Sequence, residues 1–421
     1  MSPRTEPHSQ NPCLPTQSGT PETRRIRTPS ARTDTGPLET PGSGDTPDTS
    51  HTRPVGTPGT GRAAVLPATG LTDLSETSLV VADDRMRART ALRLLRTDHT
   101  LLWRGDYHNG RQLLAALRRR LTPAHESATD PAQAYARYRR HRAHQAQLLS
   151  RLVVDLDPGY HLALRRAPDV RQACREAYGP PTSPRRVPLT ELLGVLGAHH
   201  WRHRGVHVPA LGARIHPHYG VFAPTRSEYV DLVARAPLPP HAGSALDLGT
   251  GTGVLAALLA RRGVPRVLAT DLSPRALACA RDNIERLNVA HRVEIRPADL
   301  YPDTRADLIV CNPPWLPGTP ATALDHGVYD PGSAMLRGFL DGLPAHLTPG
   351  GEGWLILSDL AEHLGLRAPD DLPAAITAAG LRVVNRLDTR PRHPRAADPG
   401  DPLHAARAAE TVSLWRLTPR A

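Results

Sequence analysis

From residue 244 onward, short apolar runs alternate with helical periods. Ser244-Ala-Leu-Asp-Leu248 predicts a buried strand, and Val254-Leu-Ala-Ala-Leu-Leu-Ala260 predicts the first turns of a helix packed on it. Further strands are predicted over Arg266–Thr270, Val293–Arg296, Asp307–Cys311, Gly351–Ser358, Leu381–Asp388 and Thr411–Leu417, with a helix around Ala374 to Gly380. Strands separated by helices define an α/β unit. Before it the period changes: Arg85–Arg96, Gly110–Leu121, Ala132–Leu152 and Leu189–Trp201 carry apolar residues every three or four positions with arginine between them. These predict a bundle of helices with arginine faces.

The pattern therefore divides the 421 residues into a mainly α-helical domain over 71–212 and an α/β domain over 213–421. Residues 1–70 are dense in Pro, Thr, Ser, Gly and Arg and nearly free of large apolar residues. Such a tail cannot bury a core and is expected to be disordered.

Charge sharpens this division. All 52 basic residues are arginine. Residues 61–240 hold 27 of them against 15 acids, so the excess of positive charge sits in front of the α/β domain. Clustered arginine suits a polyanion such as RNA or DNA; in a lysine-free chain it also serves as ordinary solvated surface. Cys13, Cys174, Cys279 and Cys311 show no paired spacing, so they suggest neither a zinc site nor a disulfide framework, and a reducing cytoplasm is the simple inference. The histidines at 199, 200, 203, 207, 216 and 218 match no metal-ligand pattern on one helix face, so no metal is assigned. No apolar run is long enough for a membrane span, and the tail has no apolar core of a signal peptide.

Two motifs carry chemistry. Asp247-Leu-Gly-Thr-Gly-Thr-Gly253 lies between the first strand and its helix, where Gly249, Gly251 and Gly253 let the chain turn sharply and let a ligand approach the main chain. Asp271 ends the next strand about twenty residues on, a spacing suited to ribose hydroxyls. Asp299 after the third strand is placed for an adenine amine, with Leu272 and Leu300 against the ring faces. About sixty residues past the glycines, Asn312-Pro-Pro-Trp315 follows directly on a strand, at the edge of the sheet where α/β folds bind ligands. The Asn312 amide oxygen and the Pro313 carbonyl can both accept hydrogen bonds from an NH2 group. Pro313 and Pro314 hold the backbone extended, and Trp315 offers a flat face. Two acceptors pulling on a planar NH2 localise its lone pair toward an electrophile, which is catalysis by orientation.

On these motifs the chain resembles the class I S-adenosylmethionine-dependent methyltransferases. It is most similar to their "small domain" group, which includes release-factor glutamine and ribosomal RNA guanine methyltransferases. The resemblance covers roughly residues 216–421 and implies a Rossmann-like sheet of seven strands, the last antiparallel. It implies that Asp247 and the loop Gly249, Thr250, Gly251 and Gly253 hold the methionine part of S-adenosylmethionine, Asp271 the ribose, Asp299 the adenine, and Asn312 to Trp315 the target amine. The preceding stretch His218–Glu228 resembles the group's leading segment, with Phe222, Pro224 and Thr225 covering the methionine end. Two departures from the glutamine enzymes are Trp315 in place of tyrosine and the lack of their proline-arginine-proline leader. With the basic domain, these favour N-methylation of a nucleic acid, with a protein glutamine as the alternative; oligomeric state is left open.

Two readings from other classes use parts of the same evidence. A nicotinamide oxidoreductase shares the glycine loop but leaves Asn312–Trp315 unexplained, and a noncatalytic RNA-binding protein on this fold does not require an intact Asp247, Gly249, Asp271 and Asn312. Asp325–Asp330 is read as a lid over the substrate or a structural turn, and Thr389–Glu410 as a flexible link or a recognition loop on the site's rim.

Overall fold

The computed structural model describes residues 78–122, 130–322, 324–392 and 396–420. The expected disordered tail lies outside them, as do His393 and Arg395 of the long link. In chain order the first part comprises β1 (Leu79–Ala82), α1 (Ala88–Arg96), β2 (Thr100–Trp103), α2 (Tyr107–Leu121), α3 (Pro131–Ser150), β3 (Leu152–Leu156), α4 (Arg171–Tyr178), β4 (Arg185–Pro188) and α5 (Leu189–Arg204).

Helices predominate here as the periodicity predicts, but they do not form a free-standing bundle. They pack on a sheet of order β1-β2-β3-β4, parallel except for β4. Each strand has only four or five residues, and β3 follows α3 after a single residue, so the helical period masks it. Asp130 starts α3 by accepting the Ala132 amide, with Pro131 in the first turn where its missing N–H costs nothing. Buried Leu95, Leu101, Trp103, Leu117, Leu152 and Leu192 form the core between sheet and helices.

A hairpin of β5 (Val206–Val208) and β6 (Ala213–Ile215) leads into the second part. There follow α6 (Glu228–Arg235), β7 (Ser244–Leu248), α7 (Val254–Arg261), β8 (Arg266–Asp271), α8 (Pro274–Arg286), β9 (Val293–Pro297), β10 (Ala306–Cys311), β11 (Leu316–Pro317), β12 (Tyr329–Asp330), α9 (Ala334–His346), β13 (Leu347–Ser358), α10 (Leu360–His363), α11 (Asp371–Ala378), β14 (Leu381–Thr389), α12 (His404–Ala409) and β15 (Val412–Pro419). The seven-stranded sheet runs β14-β15-β13-β10-β7-β8-β9, with β15 antiparallel to both neighbours. This is the Rossmann-like sheet with its expected antiparallel last strand. One face is buried against α6 and α7, the other against α9 and α11, so the central strands are apolar on both sides.

The start of the central strands is tied by one carboxylate. Asp307 Oδ2 accepts from the Gly243 and Ser244 amides at 3.0 and 2.9 Å and from Ser244 Oγ at 2.9 Å, while Oδ1 accepts from Thr348 Oγ1 at 2.6 Å. It thereby joins β10 to the beginnings of β7 and β13. Replacing Asp307 by Ala is expected to lower unfolding free energy by about 2 kcal/mol, since it strands several donors at once. Urea unfolding curves of the two proteins would check this; coincident midpoints would show that water replaces the carboxylate at no cost.

Candidate active site

Leu248 at the end of β7 lies opposite Cys311 at the end of β10. Residues 249–253 and 312–315 therefore leave the sheet side by side. Between β10 and β8, on either side of β7, the order of connections reverses, and such a switch point opens a crevice at the carboxyl edge of the strands.

Gly249, Gly251 and Gly253 have φ of 69°, 55° and 80°, where an L side chain is strained. A Cβ on Gly253 would lie 3.2 Å from the Ala280 main chain, so this glycine lets α7 approach α8. Gly251 faces open space, leaving its main chain accessible to a ligand.

Beneath the loop, Asp247 is 1% exposed, and its Oδ2 accepts from Thr250 Oγ1 at 2.6 Å and the Ala256 amide at 3.0 Å. It fixes the shape of the loop from below. Burial pushes its carboxyl up to about 6, with the two hydrogen bonds opposing that shift. At the end of β8, Asp271 accepts the Gly251 amide on Oδ2 at 3.0 Å and the Ser273 amide on Oδ1 at 2.8 Å. Its burial also raises its carboxyl above the ordinary range, against these amides. Each oxygen retains a lone pair.

Leu272 next to it is 67% exposed, and Asp299 is exposed across the end of β9. Leu300 adopts φ 66°; its carbonyl accepts from Thr270 Oγ1 at 3.1 Å, and its side chain lies against Gly338 of α9. Phe222 packs over Gly327, while Pro224 is buried and Thr225 exposed in the strap leading to α6.

In the tetrapeptide, Asn312, Pro314 and Trp315 are half-buried and Pro313 is buried. The Trp315 indole N–H donates to Asn312 Oδ1 at 2.9 Å, which orients the amide and leaves one further lone pair on that oxygen. The Arg226 guanidinium stands 4.8 Å from the Trp315 ring centroid. Arg226 in turn donates to Glu228 at 2.8 Å and to Glu410 at 2.9 Å, two carboxylates that are 2% and 0% exposed. Ser358 Oγ donates to Glu410 at 2.6 Å. The long link thus ends in a buried anchor beside the tetrapeptide, and its Arg392 pairs with Asp231 of α6 at 2.9 Å. None of Arg226, Glu228, Ser358 and Glu410 stood out in the sequence, although the first two lie within the leading segment.

Segment 316–330 is pinned at both ends. β11 pairs with β12, Asp325 accepts the Ala321 and Thr322 amides at 3.1 Å, and Asp330 accepts the Met335 and Leu336 amides at the start of α9 at 3.0 Å. Here the amino-terminal part reaches the site. The Tyr135 hydroxyl of α3 donates to that of Tyr329 at 3.2 Å, the Arg139 guanidinium lies 4.1 Å from the Tyr329 ring centroid, and Arg139 donates to the Thr319 carbonyl at 3.2 Å. Tyr135 shares a small core with Leu316, Leu360 and Leu403.

Residues 212–363 match the family model described as the methyltransferase small domain, and the chain spans less than two thirds of the length of the curated relatives it matches. The chain is 39% identical over 181 residues to a release factor glutamine methyltransferase of Cereibacter sphaeroides, a match covering 40% of this chain and 63% of that protein. It is 44% identical over 72 residues to a ribosomal protein L11 methyltransferase of Pelotomaculum thermopropionicum, covering 17% and 23%. A solved ribosomal protein L11 methylase from Lactobacillus delbrueckii subsp. bulgaricus aligns with a TM-score of 0.32 at 18% identity over 48% of this chain and 83% of that one.

Two consequences follow for the folded protein. Because the Asp247 carboxyl is raised to about 6 in the fold from an ordinary 3.8, the native state holds its proton more tightly than the unfolded chain. The stability of wild type minus that of Asp247→Asn should fall as pH rises from about 4 to about 6 and stay level above; paired melting curves across that range measure it, and a flat difference would contradict the burial argument. Arg226→Met leaves Glu228 and Glu410 without their shared cation and should cost about 3–5 kcal/mol in chemical unfolding. A loss under about 1 kcal/mol would mean that these carboxylates find other partners.

Proposed function

We propose that the chain is an S-adenosylmethionine-dependent N-methyltransferase acting on a planar amide or amine nitrogen, and that its acceptor is a glutamine side chain of a protein. One observation carries the reaction class: the glycine loop and Asn312–Trp315 leave neighbouring parallel strands side by side at the carboxyl edge of the sheet. The open main chain at Gly251, the two half-used oxygens of Asp271 and the outward Leu272 fit the methionine, ribose and adenine parts of the cofactor. When bound, S-adenosylmethionine supplies a methyl group on a cationic sulfonium.

The chain's residues act on the acceptor. Asn312 Oδ1 and the Pro313 carbonyl accept hydrogen bonds from its NH2 group and turn the nitrogen lone pair out of conjugation. Trp315 fixes Oδ1 through its indole N–H and is itself held by Arg226, so the acceptor geometry is set before substrate arrives. The displaced proton passes to solvent. A protein glutamine is supported by the 39% identity over 181 residues to a release factor glutamine methyltransferase. A cytoplasmic setting agrees with the three buried, unpaired cysteines among the described residues.

A nucleic-acid acceptor is the second reading, and one observation favours it. Arg89, Arg93 and Arg96 of α1 and Arg120 of α2 line a groove of about 610 Å³ together with Leu92 and Thr97, and four guanidinium groups there would attract phosphates.

Incubating the protein with methyl-tritiated S-adenosylmethionine and cell extract separates the readings. Protease-sensitive label recovered as N-methylglutamine supports the first, and ribonuclease-sensitive label the second. Asn312→Ala should keep cofactor binding in calorimetry and lose at least about a hundredfold in rate, while Asp271→Ala should lose binding itself. Absence of cofactor binding by the wild type would rule out the reaction class.

A further inference from the structure

Away from the crevice, α4 and α5 lie side by side in the amino-terminal part, and three of their side chains converge. His199 and His203 stand four residues apart on α5, so they share one helix face. Glu176 projects between them from α4. His199 Nδ1 lies 2.9 Å from Glu176 Oε2, and His203 Nε2 lies 3.4 Å from Oε1. The three ligand atoms all lie within 4.8 Å of one another. The set is invisible in any one stretch of sequence because its third member comes from another helix, 23 residues before His199.

We propose that Glu176, His199 and His203 bind one divalent transition-metal ion, with zinc the ion that best suits the ligand set. Ligands about 2.1 Å from a shared tetrahedral centre are about 3.4 Å apart, and the three ligand atoms here lie within 4.8 Å of one another, so a modest rotation of their side chains closes them on one ion. Two imidazoles and one carboxylate, with no thiolate, form a borderline set that zinc, cobalt(II) and nickel(II) all accept, leaving a fourth position for water. His203 is 63% exposed at its side chain, which gives an ion a route in and lets the ring swing to close the site. Gln172, one helical turn before Glu176, donates to its Oε1 at 3.2 Å and braces the carboxylate from outside, as outer-shell partners do at metal centres.

The imidazole rings are 4.3 Å apart, centroid to centroid, and Arg202 Nη1 stands 4.0 Å from Glu176. A metal ion takes imidazoles in their neutral form and sets its own charge against the carboxylate. Arg202 remains compatible with it because its other terminal nitrogen engages Asp282 of α8 at 3.3 Å, giving that guanidinium a carboxylate of its own.

The same Asp282 accepts from His218 at 2.7 Å, and His216 donates from Nδ1 to the Arg202 carbonyl at 2.7 Å. An ion that clips α4 to α5 thus lies one side chain from the strap leading to Phe222, and its place in the fold is a structural joint.

The test uses tag-free, full-length protein stripped with chelator and titrated with cobalt(II), read by visible absorption, and with zinc, read by calorimetry. One ion per chain is expected, with a tetrahedral cobalt spectrum. Affinity should fall at least about tenfold in His199→Ala, His203→Ala and Glu176→Gln, since losing a ligand costs no less than losing an outer-shell partner, and should not change in His207→Ala. Circular dichroism confirms folding, and the exposed His203→Ala variant tests the site even if Glu176→Gln does not fold. Failure of the wild type to bind, or equal affinity in these ligand variants and the His207 variant, would overturn the assignment.

Discussion

The parallel pairing of β7 with β10 is the constraint on which the rest of the site depends. Those strands are far apart in sequence, yet their hydrogen-bond register sets Leu248 beside Cys311 and so brings a glycine turn and a proline-rigid tetrapeptide to one edge. A slip of one residue would turn every buried side chain of β10 to the opposite face. Leu308, Ile309, Val310 and Cys311 are all buried between the helices on both sides of the sheet, so the register is enforced by packing as well as by the ladder. Asp307 then locks the other end of the same strands.

Around this fixed edge, the structure builds inward from carboxylates. Asp247 shapes the loop from below and Asp271 from the side, each through main-chain amides. Glu228 and Glu410 hold Arg226, and Arg226 covers Trp315. Buried carboxylates are costly unless hydrogen-bonded or paired. Their concentration here means that the geometry of the loop and tetrapeptide is linked to the burial of charge, and neither can relax alone.

Much of this was legible in the sequence because it is local. The strands of the second part are contiguous apolar runs bounded by turn residues, and the glycine loop and Asn312–Trp315 are short enough to read in one window. The four strands of the first part were not legible. They are four or five residues long, and Leu152–Leu156 abuts a twenty-residue helix whose period dominates any window. Glu410 escaped notice because its partner Arg226 lies 184 residues away. Substrate class was inferred from regional charge, but a net excess of arginine does not say what individual guanidinium groups do. Arg139 illustrates this: it stacks on Tyr329 and donates to the Thr319 carbonyl, making it a strut between α3 and the rim of the site.

The absence of lysine has a local consequence even if its origin is compositional. At position 226 the cation has to span two buried carboxylates and sit over an indole. A guanidinium does both because its donors form a planar fork and its face is weakly hydrated, whereas an ammonium would have to choose one partner and carry its water with it. The same reasoning applies to Arg139, which lies over Tyr329 while donating to the main chain. Both arginines touch the walls of the segment that follows Asn312, one from the strap before α6 and one from the amino-terminal part. The amino-terminal part therefore helps to shape the segment that follows the tetrapeptide, through Tyr135 and Arg139 of α3 against Tyr329 and Thr319.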